Sequence, residues 1–253
     1  APSKGEQGIP SWPIALLHNL AAYVKNSRSP FDVHHHLPYG RPLSAQAPTD
    51  LRAVGFVLDP ELGEAKTPLG SMKFLQLVGL TDDEEAFTAE WSVAGLFDAL
   101  GQVNPLHVLH LQRTSALADE AFGKSLRARA EAEGSSQDAT FVQELELDGD
   151  DDALELVMGP ATHGVGLARN LAGILRGRLG HARPFTLQAP ESGQVVRFEP
   201  AQTSSFTAGA EPVVQLTPAA ARALAQQLDQ VDGEGRVEAT EPAGLALAFL
   251  DEV

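Results

Sequence analysis

The chain contains no cysteine, which excludes disulfides, thiolate nucleophiles and cysteine-ligated zinc. No apolar run approaches the roughly 18 residues of a membrane-spanning helix, so a membrane is not an expected partner. Basic residues are scarce: 18 Lys and Arg face 34 Asp and Glu, a formal charge of −16. That balance argues against nucleic acid and suits a basic partner segment, although acidity also keeps an ordinary cytosolic protein soluble. No Walker loop, nucleophile elbow or HExxH sequence is present. No signal-peptide pattern opens the chain and its first residue is not Met, so it reads as cytoplasmic and as a piece of a longer protein. What is there is enough apolar matter for real cores: 43% of 253 residues, the length of one large domain or two ordinary ones.

Along the chain, Ser11-Trp12-Pro13 starts a helix, with Ser11 as cap and proline where a missing N–H costs nothing. The spacing predicts a helix over 13–26 with Ile14, Leu17, Leu20, Ala21 and Val24 on its buried face, and Trp12 as a core anchor at its entrance. Residues 51–58 read as a strand broken at Asp59-Pro60, and 73–80 as a central strand buried on both faces. Thr81-Asp82-Asp83-Glu84 fits a capping box. Helices are expected over 93–100 and 117–132, with a strand at 106–111. Seven acids between Glu144 and Glu155 mark the expected domain boundary, near Gly149, and its most protease-sensitive interior site. Beyond it come a strand at 154–158, a helix at 165–179, a hairpin of 185–188 with 195–198, a strand at 213–216, a helix after Thr217-Pro218 and an apolar run at 245–250. Mixed helices and strands without strict alternation give an α+β class: two mixed α/β domains, 1–148 and 149–253, each a sheet packed with helices, joined by a short acidic linker.

The chemistry on offer is thin. Successive residues of a strand point to opposite faces, so His34, His35 and His36 cannot chelate one ion together, and His107 and His110 would also face apart. Asp148, Asp150 and Asp152 occupy calcium-loop positions, but Ala153 stands where glycine is required and Gly159 where the bidentate glutamate belongs. Gly164-Val165-Gly166 opens a helix, yet Arg169 takes the third glycine position of a dinucleotide fingerprint. No catalytic residue, cofactor or metal is therefore expected. One charge feature stands out: residues 158–190 hold no acid, while His163, Arg169, Arg176, Arg178, His181 and Arg183 fall there. That is either a patch for an acidic partner or, as the weightier reading, a solvated helix face with cations near its C-terminal dipole.

The Trp-Pro helix with Ala22-Tyr23-Val24, then Asp59-Pro60-Glu61-Leu62, Phe74-Leu75-Gln76-Leu77-Val78-Gly79-Leu80 and Leu175-Arg176-Gly177-Arg178-Leu179-Gly180-His181 follow one another at spacings that resemble the suppressor of fused family. The resemblance covers most of residues 9 to 231. It implies two mixed domains that close around a short extended peptide, which adds as a strand between them; animal members hold zinc-finger transcription factors of the Hedgehog pathway in the cytoplasm. The glycine- and aromatic-rich strand that members carry upstream of the Trp-Pro helix is missing here, as are the long charged insertion and extended tail of animal members. The Ala/Arg/Gly-rich composition looks bacterial, which implies a different partner, such as a toxin neutralised by an immunity protein.

On this resemblance the partner would be a protein or extended peptide, held at Val57 and Asp59 and at Phe141 and Leu156 on either side of the acidic run. Asp59 would pair with a peptide cation or else cap the turn at Pro60. The rival reading is an enzyme using an interdomain cleft with His34 or His36; a third is a structural oligomer subunit.

Overall fold

The structure is a computed structural model and describes residues 10–159, 166–231 and 234–250. In chain order come α1 (Trp12–Ser27), β1 (His36–Pro38), β2 (Leu51–Leu58), β3 (Glu64–Thr67), β4 (Gly70–Lys73), β5 (Leu75–Thr81), α2 (Asp82–Glu90), α3 (Val93–Val103) and α4 (Glu120–Glu133). Then follow β6 (Ala139–Phe141), β7 (Leu145–Gly149), β8 (Leu154–Met158), α5 (Leu167–Gly177), β9 (Phe185–Ala189), β10 (Gln194–Pro200), β11 (Ser205–Thr207), β12 (Val213–Leu216), α6 (Pro218–Leu228), β13 (Gly235–Glu238) and β14 (Leu245–Phe249). The class is α+β, as the sequence implies. The chain divides into two compact units, and the division falls inside α2. One unit holds residues up to Glu85 together with Val93–Glu120; the other holds Ala86–Ser92 and the chain from Ala121 onward.

The first unit is built on a sheet ordered β1-β2-β5, antiparallel throughout, plus the separate β3–β4 ribbon. β2 is its centre, and both faces of β2 are buried. Val54 and Phe56 meet Leu16 and Leu20 of α1 on one side, while Phe31 stacks on Phe56 at 4.1 Å and on Tyr23 at 5.5 Å. Gly55 faces the other way, where a Cβ would lie 2.1 Å from the Phe97 ring, so glycine lets α3 close on the sheet. β5 is therefore an edge strand, not the expected central one. The buried face of α1 is also rotated from expectation. Leu16 and Leu20 point inward with Trp12 half-buried beside them, while Ile14 and Leu17 are each 55% exposed. Ser11 does not cap α1; its hydroxyl accepts from Gln46 Nε2 at 2.6 Å instead.

In the second unit two sheets share one core with α5 and α6: β11-β12-β10-β9-β6 and β13-β14-β8-β7. The expected hairpin forms as β9–β10, its Phe185 and Phe198 stacked at 4.6 Å. Thr217 caps α6, its hydroxyl accepting from Ala220 N–H at 3.1 Å, and Ala221, Leu224 and Leu228 are buried as the periodicity predicts. The expected boundary near Gly149 needs correcting. The acidic run is no linker: it is the tight antiparallel β7–β8 hairpin inside the second unit, closed by Asp150 N–H to Ala153 C=O at 2.8 Å. Glu146, Asp148 and Glu155 sit on the strand positions that face away from the core, Asp150, Asp151 and Asp152 make the turn, and Leu145, Leu154 and Leu156 fill the core, so alternation and the turn absorb the charge that looked like a spacer.

Candidate functional site

The four residues singled out for partner binding have different fates. Val57 and Asp59 belong to the first unit, Phe141 and Leu156 to the second. Val57 is 7% exposed in β2, which is paired on both sides. Leu156 is wholly buried in β8, between β14 and β7, and is a core residue. Asp59 Oδ1 accepts from the N–H groups of Glu61 (2.9 Å) and Leu62 (2.8 Å), which is the turn-capping role. Its own N–H donates to Phe74 C=O at 2.9 Å, tying the turn to the start of β5.

Phe141 is different. It lies on β6, the edge of the five-stranded sheet, with 54% of its surface exposed. β6 pairs with β9 in parallel register: Ala139 against Thr186, Thr140 against Leu187 and Phe141 against Gln188. Thr186 N–H donates to Asp138 C=O and Val142 N–H to Gln188 C=O, so the even-numbered residues turn their main-chain groups toward β9. Alternation then turns those of Ala139 and Phe141 outward, away from the sheet, where the Ala139 C=O accepts from Gln137 Nε2 at 3.1 Å. The strand is held firmly from behind. Val142 and Thr140 are buried, and the Thr140 hydroxyl donates to Asn170 Oδ1 of α5 at 2.9 Å. An exposed aromatic beside an open strand edge on a rigid backing is the geometry for adding a strand.

The other sequence candidates resolve into structure. His34 and His35 lie in an exposed turn, His34 at φ 67°, and His35 Nδ1 accepts from Asp32 N–H at 3.1 Å. His36 starts β1 with its Nε2 at 3.5 Å from Glu85. No group of three His, Cys, Asp or Glu positioned to hold a metal occurs among the described residues. The expected strand at 106–111 is an irregular segment, because the Asn104 side chain folds back to bond Val108 N–H and C=O, and His107 sits at φ 47°. His107 and His110 instead line one shallow cavity in the first unit with Leu51, Val78, Leu100 and Leu109, about 370 Å³ with its open mouth included. Burial pulls the His107 imidazole below its ordinary pKa, against a smaller opposing pull from Asp98.

The basic stretch is mostly spent on packing. Arg176 bonds Glu90 (3.2 Å) and Asp229 (2.7 Å), and Arg178 bonds Pro184 C=O and Ser135 C=O. Arg169 and Arg183 are exposed, and His163, Gly164 and Val165 lie outside the described residues. Sequence reasoning missed the Glu84–Arg113 pair. Glu84 is fully buried, and Arg113 grips both of its oxygens at 2.5 Å. The capping box pointed at Glu84, and the Thr81 N–H does reach it at 3.1 Å, but nothing in the spacing named an arginine 29 positions on. No described helix is long and apolar enough to cross a membrane.

Comparison with known proteins places this arrangement. Residues 2–114 match the family model described as Suppressor of fused protein (SUFU). The suppressor of fused homologs of Mus musculus and Homo sapiens are each 30% identical over 99 residues, 39% of this chain but only 20% of the relatives' own length. The crystal structure of Drosophila Suppressor of Fused superposes with a TM-score of 0.62 at 16% identity, covering 100% of this chain and 73% of that one. Residues 2–114 thus match the suppressor of fused family model, and the chain shares the fold of Drosophila Suppressor of Fused.

Proposed function

We propose that the chain is a non-enzymatic protein-binding module that takes an extended segment of its partner on the outer edge of β6. One observation carries the reading: the outward N–H of Ala139 and main-chain groups of Phe141, with the Phe141 ring exposed beside them and Gln137 Nε2 on the Ala139 C=O as the contact that a partner strand would replace. The resemblance to the suppressor of fused family, whose model residues 2–114 match, supports a role in protein association. Main-chain pairing would supply affinity and the Phe141 ring a side-chain contact. A basic segment would suit the acidic surface, a cytoplasmic setting fits the cysteine-free composition, and sequestration of a toxin is one form that such binding would take; these finer points rest on composition and resemblance. Val57 and Leu156 are packing residues of the first and second unit respectively and make no partner contact in this reading.

The test uses a displayed library of 12-residue peptides, followed by calorimetry with an enriched sequence. Ala139→Pro removes only an outward N–H and leaves the β9 ladder intact, so folding survives and binding drops at least tenfold. Thr140→Pro breaks the ladder itself and serves as the unfolding control. Undiminished affinity in Ala139→Pro would move the site away from β6.

A further inference from the structure

We propose that residues 104–116 of the first unit form a strap, latched by the buried Glu84–Arg113 pair, whose release uncovers the edge of β5. This concerns a different unit and a different strand from the binding reading above, and stands apart from it. The register of β5 sets the problem. Asp59 N–H donates to Phe74 C=O, so even-numbered residues of this strand face β2 and the main-chain groups of Leu75, Leu77, Gly79 and Thr81 face outward. Among the described residues no strand pairs with them, for β5 ends its sheet.

What lies against that edge is the segment after α3, and it is attached by side chains, not by a ladder. Arg113 Nη2 donates to the outward Gly79 C=O at 2.6 Å. The Glu84 carboxylate takes the outward Thr81 N–H at 3.1 Å, both Arg113 nitrogens, and the Ala116 N–H at 2.7 Å. The Ser115 hydroxyl donates to Asp83 Oδ2 at 2.6 Å. Toward the other end the polar hold weakens: Gln76 Nε2 reaches His107 C=O at 3.4 Å, and half-buried Leu109 rests over Gly79 and packs against the apolar cluster of α1 and β2. The segment carries its own structure, since Asn104 closes residues 104–108 and Ser115 caps the 3-10 turn at Ala116–Ala118. It also presents Leu106 (49% exposed) and Val108 (44%) to solvent, and Val108 lines the shallow cavity together with Val103 at the end of α3.

A self-structured segment fixed at one end by a buried ion pair and at the other by weak polar contacts and the Leu109 side chain opens as a unit, before the sheet beneath it. Opening leaves Leu75, Leu77 and Gly79 of β5 ready to pair with an extended chain, while the Thr81 N–H keeps its cap on Glu84. The buried pair makes the closed state specific: with Arg113 displaced, Glu84 would be a carboxylate without its counter-charge, so the latch is either fully made or fully broken.

Native-state hydrogen exchange on the unmodified protein tests this first. The amides of His107, Val108, Arg113 and Ala116 should share one opening reaction and exchange at least tenfold faster than those of Val54 and Phe56 in β2. Arg113→Met, which keeps the stem and removes the charge, should speed exchange of that group and of Gly79 about a hundredfold while β2 stays within a few-fold. Should Arg113→Met not fold, Ser115→Ala weakens the same end and must raise exchange over 104–116 selectively, about tenfold. The proposal is overturned if these amides exchange together with β2 in the wild type, or if the variants accelerate both alike.

Discussion

The two units reach order by different means. In the second, two sheets and two helices close on a single apolar core in which Leu171, Ile174, Phe198, Val214 and Leu224 are all at most 1% exposed. In the first, β2 is packed on both faces, but much of the remaining chain is pinned by polar devices: the Glu84–Arg113 pair, the Asp59 turn, and Lys73 Nζ on Asp32 at 2.9 Å. Burial scales with area and tolerates small shifts, whereas a polar pin fails all at once when one partner is lost. The contrast teaches that mutation should act gradually on the second unit's stability and switch-like on the first unit's surface segments.

The largest effect that would break this contrast lies in the second unit's core. Phe198→Ala should lower stability by about 3 to 5 kcal/mol, read by urea denaturation, because it removes a stacked ring that no water replaces. Leu20→Ala in the first unit, 5% exposed on the buried face of α1, should cost about 2 to 3 kcal/mol, the low end for such a truncation. If Leu20→Ala proves the costlier of the two, the first unit is as core-dependent as the second. Thr217→Ala removes the cap of α6 and Asp59→Ala the two bonds of its turn. Each should cost about 1 kcal/mol, with Asp59→Ala also speeding proteolysis of the β3–β4 ribbon and Thr217→Ala leaving it unchanged.

The smallest effect is a pH dependence of the first unit. Burial holds the folded His107 pKa below the unfolded value. On acidification the unfolded chain therefore binds the proton first, so stability is full above about pH 6.5 and declines as pH falls through that value. Melting curves between pH 7.5 and 5.5 should show a downward slope that His107→Gln flattens; an unchanged slope would assign the titration elsewhere.

Much of the fold was legible because periodicity reports burial. Strands 51–58, 154–158 and 213–216 match their observed bounds, and Thr217-Pro218 announces α6 by chemistry alone. The failures share a cause, since each depended on partners distant in sequence. β5 reads as buried on both faces, as a central strand would, and nothing local says that a side-chain strap and not a strand lies beside it. On α1, Ile14 and Leu17 are as apolar as Leu16 and Leu20, and only the placement of Val54 and Phe56 decides which pair faces in. The acidic run misled because counting charges along the chain ignores that every second residue of a strand faces away. Of the candidate site, Phe141 was named through the family resemblance and its role is proposed above, Asp59 as a turn former was legible from Asp-Pro, and Leu156 was drawn in by its neighbours although its own character is that of core.

The order of strands in the second unit also has a consequence for biosynthesis. β14 lies between β13 and β8 and pairs in parallel with β8, whose residues precede it by 91 positions in the register Leu154 with Leu245. A ribosome adding roughly 5 to 20 residues per second would expose the β7–β8 hairpin several seconds before its neighbour exists. During that interval the edge of β8, with Leu154, Leu156 and Met158 on one face, has no strand to cover it. Residues 86–92 wait longer still, since they belong to the second unit but emerge amid the first. The first unit can close once Glu120 is out, and the second can close only after Phe249, so the vulnerable stage for aggregation or chaperone capture is the nascent second unit.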